Sequence, residues 1–187
     1  IQAAFTRSQL ARFPECSRAR DRNVRAFLGR LAGLAGLVVP VAPADRDHAW
    51  HILRFRVDPG PLGLAGVRPG ALRAAVVRAL RAEGVPAQPY QLLPLPAQPA
   101  LQRGPREYRM SDYSNTLAVI EDSFTIQRAH LDPDAGPVLD AYAGAFEKVW
   151  AHMPLVARYA ANMRYQQPWE RARQIAAAEL EAVADDA

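Results

Sequence analysis

Cysteine is nearly missing from this chain. Cys16 stands alone in 187 residues, so neither an intrachain disulfide nor a metal site built from several thiolates can form. Histidine does not make up the difference. His48, His51, His130 and His152 have no cysteine or close acidic partner at ligand spacing, and two loose histidines at His48 and His51 make a weak zinc signal. No metal is expected. Lysine is as scarce, with Lys148 alone against a background of arginine. Long apolar runs are missing too: the longest, residues 31–44, contains Gly33, Gly36, Pro40 and Pro43, too short and broken to span a bilayer. No signal-peptide pattern is visible, which makes a soluble cytoplasmic protein the default expectation. The chain also opens without methionine. Ile1 already sits inside a helical pattern, which suggests a fragment or a chain whose beginning is missing.

What remains is an ordinary globular composition, 50% hydrophobic and 22% charged, long enough for one good core or one domain with an appendage. The formal charge is +4, and basic residues crowd the start, where Arg7, Arg12, Arg18, Arg20, Arg22, Arg25 and Arg30 face only Glu15 and Asp21. A nucleic-acid binder would want such a cluster. No recognition helix, aromatic platform or zinc finger accompanies it. A solvated helix face, or one meeting an acidic neighbouring domain, is the reading preferred, and no nucleic-acid partner is expected.

Apolar periodicity places the elements. Residues 1–13 read as helix, with Pro14 as a kink or restart, and Val24, Phe27, Leu28 and Leu31 trace a stripe that ends at Gly33 and Gly36. Residues 37–41 can form a short strand. Residues 49–57 form the clearest one, because Leu53, Phe55 and Val57 alternate with Arg54 and Arg56. The GPLGLAG that follows lacks both the Walker Lys-Ser/Thr ending and G-x-G-x-x-G spacing, and is read as a loop.

The stretch from Pro69 to Leu101 organises the rest. Pro69 suits a first helical turn, and Leu72, Ala75, Val76, Ala79 and Leu80 make a buried stripe that leaves Arg73, Arg81 and Glu83 largely outside it. Gly84 and Pro86 stop the helix. A short extended segment follows, then a loop stiffened by Pro89, Pro94, Pro96 and Pro99 that carries Tyr90 and Gln91. Such a loop holds its shape without a hydrogen-bond ladder, which suits the wall of a pocket. Residues 102–113 are irregular, 114–122 helical, and 124–129 a strand with Phe124 and Ile126 opposite Thr125 and Gln127. A further helix begins near Asp134 or Gly136 and runs through Leu139, Phe146 and Trp150, with Lys148 on its opposite face, until Pro154 breaks it.

The expected fold class is therefore α+β: a small, largely antiparallel sheet with helices on one face, preceded by a long helix. The expected division is a connecting helix region over 1–36, a small α/β domain over 37–152, and a peripheral helical tail over 153–187.

Taken in order, these segments resemble the C-terminal part of the DegT/DnrJ/EryC1/StrS aminotransferases. The carriers are IQAAFTRSQLARFPE, RDRNVRAFLGRLAGLAGLVVP, LRAEGVPAQPYQLLPLPAQPAL and AYAGAFEKVW. Each is weak alone; four in register over roughly residues 1–150 are fairly specific. The tail beyond Trp150 has no matching counterpart. The resemblance implies the small C-terminal domain of a fold-type I enzyme that uses pyridoxal phosphate (PLP) to aminate keto-sugars or cyclitols. It implies a homodimeric parent, and a large domain preceding Ile1 that holds the Schiff-base lysine, the aspartate on the pyridine nitrogen and the phosphate loop. Lys148, on a solvated helix face, is no substitute, so the chain alone is expected to hold no cofactor and no catalytic residue.

By the same resemblance the substrate-binding candidates are Tyr90, Gln91 and His130. Tyr90 has a plain alternative as a ring packed on prolines, and His130 as a capping or structural histidine. Relatives often carry a histidine in or after the Tyr90 loop, and this one has none between Tyr90 and Leu101. A different reading, in which a freestanding α/β module docks on a separate large subunit or another protein, also fits the residues.

Overall fold

The computed structural model describes residues 1–98, 101, 109–126 and 128–170. The helical periodicity of the first residues becomes a single helix, α1 (Gln2–Leu31), with Pro14 inside it. An interior proline removes one ladder hydrogen bond and crowds the preceding turn. It falls in the half of α1 that is solvent-exposed; packing begins only beyond it, through Ala19, Val24, Phe27, Leu28 and Leu31.

Four strands follow: β1 (Leu37–Val38), β2 (Leu53–Val57), β3 (Ala87–Gln88) and β4 (Ser123–Ile126). They form one antiparallel sheet in the order β1-β2-β4-β3. Phe55 sits opposite Phe124, and Leu53 and Ala87 both pair with Ile126, so all five side chains share one face. Helices α2 (Pro69–Ala82), α3 (Ser114–Asp122), α4 (Gly136–Ala151) and α5 (Met153–Asn162) complete the chain. Phe27 of α1 and Phe146 of α4 close over the apolar face. Ring centroids lie 5.4 Å apart for Phe55–Phe124, 5.5 Å for Phe55–Phe146 and 6.0 Å for Phe27–Phe146. The α+β architecture read from the sequence is the one observed. No described helix is long and apolar enough to cross a membrane.

Several boundaries differ. β1 stops at Val38 rather than Val41. β2 begins at Leu53, not Ala49, because Trp50 adopts φ +50°, outside the extended region. β4 ends at Ile126, Gln127 lies outside the described residues, and Ala129 starts a 3-10 turn with His130 and Leu131. On α2, Arg73 is buried instead of lying outside the stripe. Pro154 does not end the helical structure: it occupies the first turn of α5, where a missing N–H costs nothing. α5 packs on α2 and buries Met153, Ala157 and Ala160, so the segment expected as a peripheral tail opens with a packed helix.

Phe55 touches three other rings and is fully buried. Phe55→Ala should therefore lower unfolding free energy by about 3–5 kcal/mol, the range for truncating a core phenylalanine. Val41→Ala, at an exposed site, should shift it by less than about 0.5 kcal/mol. Urea midpoints of the two variants provide the check.

Candidate functional site

The face of the sheet turned away from the phenylalanines is polar. Arg54 on β2 sits opposite Thr125 on β4, and Thr125 sits opposite Gln88 on β3. Thr125 is fully buried and its hydroxyl donates to the Gln88 carbonyl at 3.3 Å, tying the two strands. Arg56, further along β2, forks onto Asp122 with its Nε 2.9 Å from Oδ1. Hydrogen bonding to that carboxylate holds the Arg56 guanidinium above its ordinary pKa.

Two residues beyond Gln88 the chain leaves β3 and delivers Tyr90. Its ring lies under the Arg54 guanidinium, 5.3 Å from centroid to Cζ, a cation–π distance. Tyr90 is 44% exposed and its neighbour Gln91 is also exposed. The ring therefore packs on a cation, which fixes its orientation and leaves its hydroxyl end available. Arg54 and Tyr90 thus place a cation and a phenol together on the polar face, with the exposed Gln91 next in sequence. Groups of these kinds can hold hydroxyl and anionic groups.

His130 is not part of it. The ring is 0% exposed, and its Nε2 donates to the Trp50 carbonyl at 2.6 Å. A ring so enclosed cannot touch a soluble substrate in this conformation; it serves structure, and the substrate role expected for it has no support in this geometry. Burial pushes its pKa below the ordinary value, against the opposing effect of the Trp50 carbonyl.

Trp50 is the node that His130 serves. It is 2% exposed; its backbone N–H donates to His48 Nδ1 at 2.8 Å, and its indole N–H donates to Asp21 on α1 at 2.8 Å. The His48 ring stacks on it at 4.2 Å. Arg25, 2.7 Å from Asp21, holds that carboxyl below the usual carboxylate range, and the Trp50 indole adds to the effect. The sequence reading missed both Trp50 and Arg54. With Trp50 and Ile52 on the same side, the arginine face of this strand reads as only partly wet, and the Tyr90 loop folding back onto Arg54 is visible only in the fold. For Trp50 the one available signal was a large aromatic at the head of a strand pattern.

Lys148 is not placed as a Schiff-base lysine would be. The single lysine, Lys148, is 59% exposed at its side chain and bonds Glu83 at 2.7 Å. A Schiff-base amine must shed its charge in a desolvated pocket, and this one is solvated and ion-paired. Among the described residues no cluster of His, Cys, Asp and Glu could hold a metal ion.

Solved structures share this architecture and define the class as an aminotransferase-like α+β fold. TlmJ, an aminotransferase from Streptoalloteichus hindustanus, superposes with a TM-score of 0.58 at 20% identity, over 79% of this chain and 35% of that one. DesV of S. venezuelae superposes at 0.55 and 23% identity, over 78% of this chain and 36% of that one. In sequence, residues 1–131 match the DegT/DnrJ/EryC1/StrS aminotransferase family, and the chain belongs to it. A stretch of 58 residues is 34% identical to the dTDP-3-amino-3,4,6-trideoxy-α-D-glucose transaminase of Streptomyces venezuelae, which is 31% of this chain and 15% of that enzyme. The chain thus spans about a third of the length of the solved relatives.

The depressed pKa of His130 sets a pH dependence. The unfolded chain takes up a proton near pH 6.5, whereas the folded ring resists it until lower pH. Stability from this group is fully present above that value and is lost as pH falls through the window below it. Asp21, depressed from its ordinary 3.8, acts in a separate, more acidic window. Urea midpoints between pH 7.5 and 5.5 should fall for the native chain, and His130→Gln should flatten that slope.

Proposed function

We propose that this chain is the C-terminal portion of a PLP-dependent aminotransferase that moves an amino group from an amino acid to a keto-sugar or cyclitol. The carrying observation is the family match over residues 1–131 in a chain about a third as long as its solved relatives. The placement of Lys148 supports the companion point: the chain alone is inactive. In the parent, a large domain preceding Ile1 supplies the Schiff-base lysine and holds PLP, which acts as the electron sink of transamination. The parent is a cytoplasmic homodimer, and the polar face with Tyr90 and Gln91 forms one wall of the acceptor pocket.

α1 supports the need for a neighbour. Phe5, Leu10 and Phe13 are 65%, 68% and 56% exposed, an apolar burden that a partner surface would cover. That same observation favours a second reading, in which a freestanding module docks on a separate large subunit.

The coding sequence immediately upstream separates the two. A reading frame continuous with Ile1 that encodes a large domain ending in Asn-aromatic-Arg supports the first; a start codon near Ile1 with no such partner overturns it. Turnover of keto-sugar by this chain with PLP and glutamate would refute inactivity. In the intact transaminase, Tyr90→Ala or Arg54→Ala should raise the acceptor KM roughly tenfold, about 1.4 kcal/mol of binding. The KM of the amino donor should stay unchanged; unchanged acceptor kinetics would return Tyr90 to a packing role.

A further inference from the structure

Helix α5 lies past the span that matches the family, and it leaves an open groove where it packs on α2. Ala75, Ala79 and Ala82 of α2 face Leu155, Val156 and Tyr159 of α5 across a hollow of about 320 Å³. Leu155 is 56% exposed and Tyr159 43%, and large apolar side chains grouped on a surface mark a contact site. A groove between two packed helices is the shape that receives the side-chain ridge of a third.

The charge at this groove is of one sign. The one charged residue in its lining, among those described, is Arg78, whose guanidinium lies over the Tyr159 ring at 5.5 Å. No ion pair among the described residues includes Arg78 or the exposed Arg158 beside Tyr159, and Glu83, just past Ala82, is committed to Lys148. An acidic amphipathic helix would therefore fit. A second copy would not, because a two-fold contact sets one basic rim against the other.

The chain carries such a segment within reach. Ala176, Leu180, Val183 and Ala187 recur at the spacing of one helical face, with Glu179 and Asp186 bordering that face on one side. Residues 179–187 hold Glu179, Glu181, Asp185 and Asp186 and no basic residue. After α5 the chain returns to the start of α2: the Tyr165 hydroxyl packs against Gly70, and Met163 and Pro168 lie beside Arg73 and Ala74. Ala75, at one end of the groove, is next along α2. Extended, residues 171–175 bridge up to about 17 Å. The groove from Ala75 to Ala82 is about 10 Å long at the helical rise. Tethering also gives this segment a high effective concentration that no diffusing partner has.

We propose that residues 176–187 dock as an amphipathic helix in the α2–α5 groove, with Leu180 and Val183 in the apolar hollow and Glu179 and Asp186 toward Arg78. The test is paramagnetic relaxation enhancement in the full chain, with a nitroxide on the cysteine of Ala182→Cys in a Cys16→Ser background. The amide resonances of Ala79, Ala82 and Tyr159 should broaden at every protein concentration. Leu180→Asp with Val183→Asp should cut the enhancement by about fivefold or more, because carboxylates would enter an apolar hollow. Arg78→Glu should cut it by about twofold, the scale of an exposed ion pair, and adding Glu179→Lys with Asp186→Lys should restore it. Unbroadened groove resonances would overturn the docking. Broadening carried from a spin-labelled chain to a separate isotope-enriched chain would make the occupant a second copy, and overturn the tethered assignment. Full enhancement in Leu180→Asp with Val183→Asp would overturn the apolar stripe, and failure of the charge reversal to restore it would overturn the pairing with Arg78.

Discussion

The sheet turns one apolar face to the helices, and Phe55 at its centre decides which. With Phe124 beside it on β4 and Phe27 and Phe146 above, the apolar payload of β2 and β4 goes to the helices. The period of two along a strand then forces Arg54, Arg56 and Thr125 to the other side. The polar face is thus a geometric consequence of the aromatic cluster. Moving β2 by one residue would expose the rings and bury both arginines.

The second constraint is how α1 is held. Beyond its packed stripe it is tied through Asp21 to the Trp50 indole, and Trp50 is tied through its carbonyl to His130 after β4. One residue with positive φ therefore links the long helix, the entry to β2 and the exit from β4. Its unusual backbone angle is over-determined by three hydrogen bonds and a stacked imidazole. That is where the sequence-suggested role of His130 went: the ring is spent on the frame.

Much of the fold was legible in local pattern. The 114–122 helix, the Val24–Leu31 stripe and the Gly84 stop agree with the structure because each depends on periodicity or on a residue whose backbone preference is decisive. What was illegible depended on distant partners. Strand β2 is cut short by contacts from His48, Asp21 and His130, none of which is near Trp50 in helical or strand period except His48. Arg73 reads as surface on a helical wheel, yet α5 and α3 both pack on α2, so α2 is covered on two sides. Pro154 signals a break equally well as an end or a beginning, and only packing against α2 decides for the latter. Of the candidate residues, Tyr90 and Gln91 are exposed in the loop after β3, and Tyr90 meets Arg54 on the polar face, a partner that only the fold supplies.

The central proposal is that this polar face forms one wall of the acceptor pocket of a longer transaminase. Its most direct measurement is a crystal structure of the intact transaminase with an unreactive amino-acceptor analogue bound. The account predicts the Tyr90 hydroxyl or the Gln91 amide within hydrogen-bonding distance of the analogue, with the Arg54 guanidinium still over the Tyr90 ring. An analogue held entirely by residues outside this chain, with Tyr90 facing solvent, would contradict it.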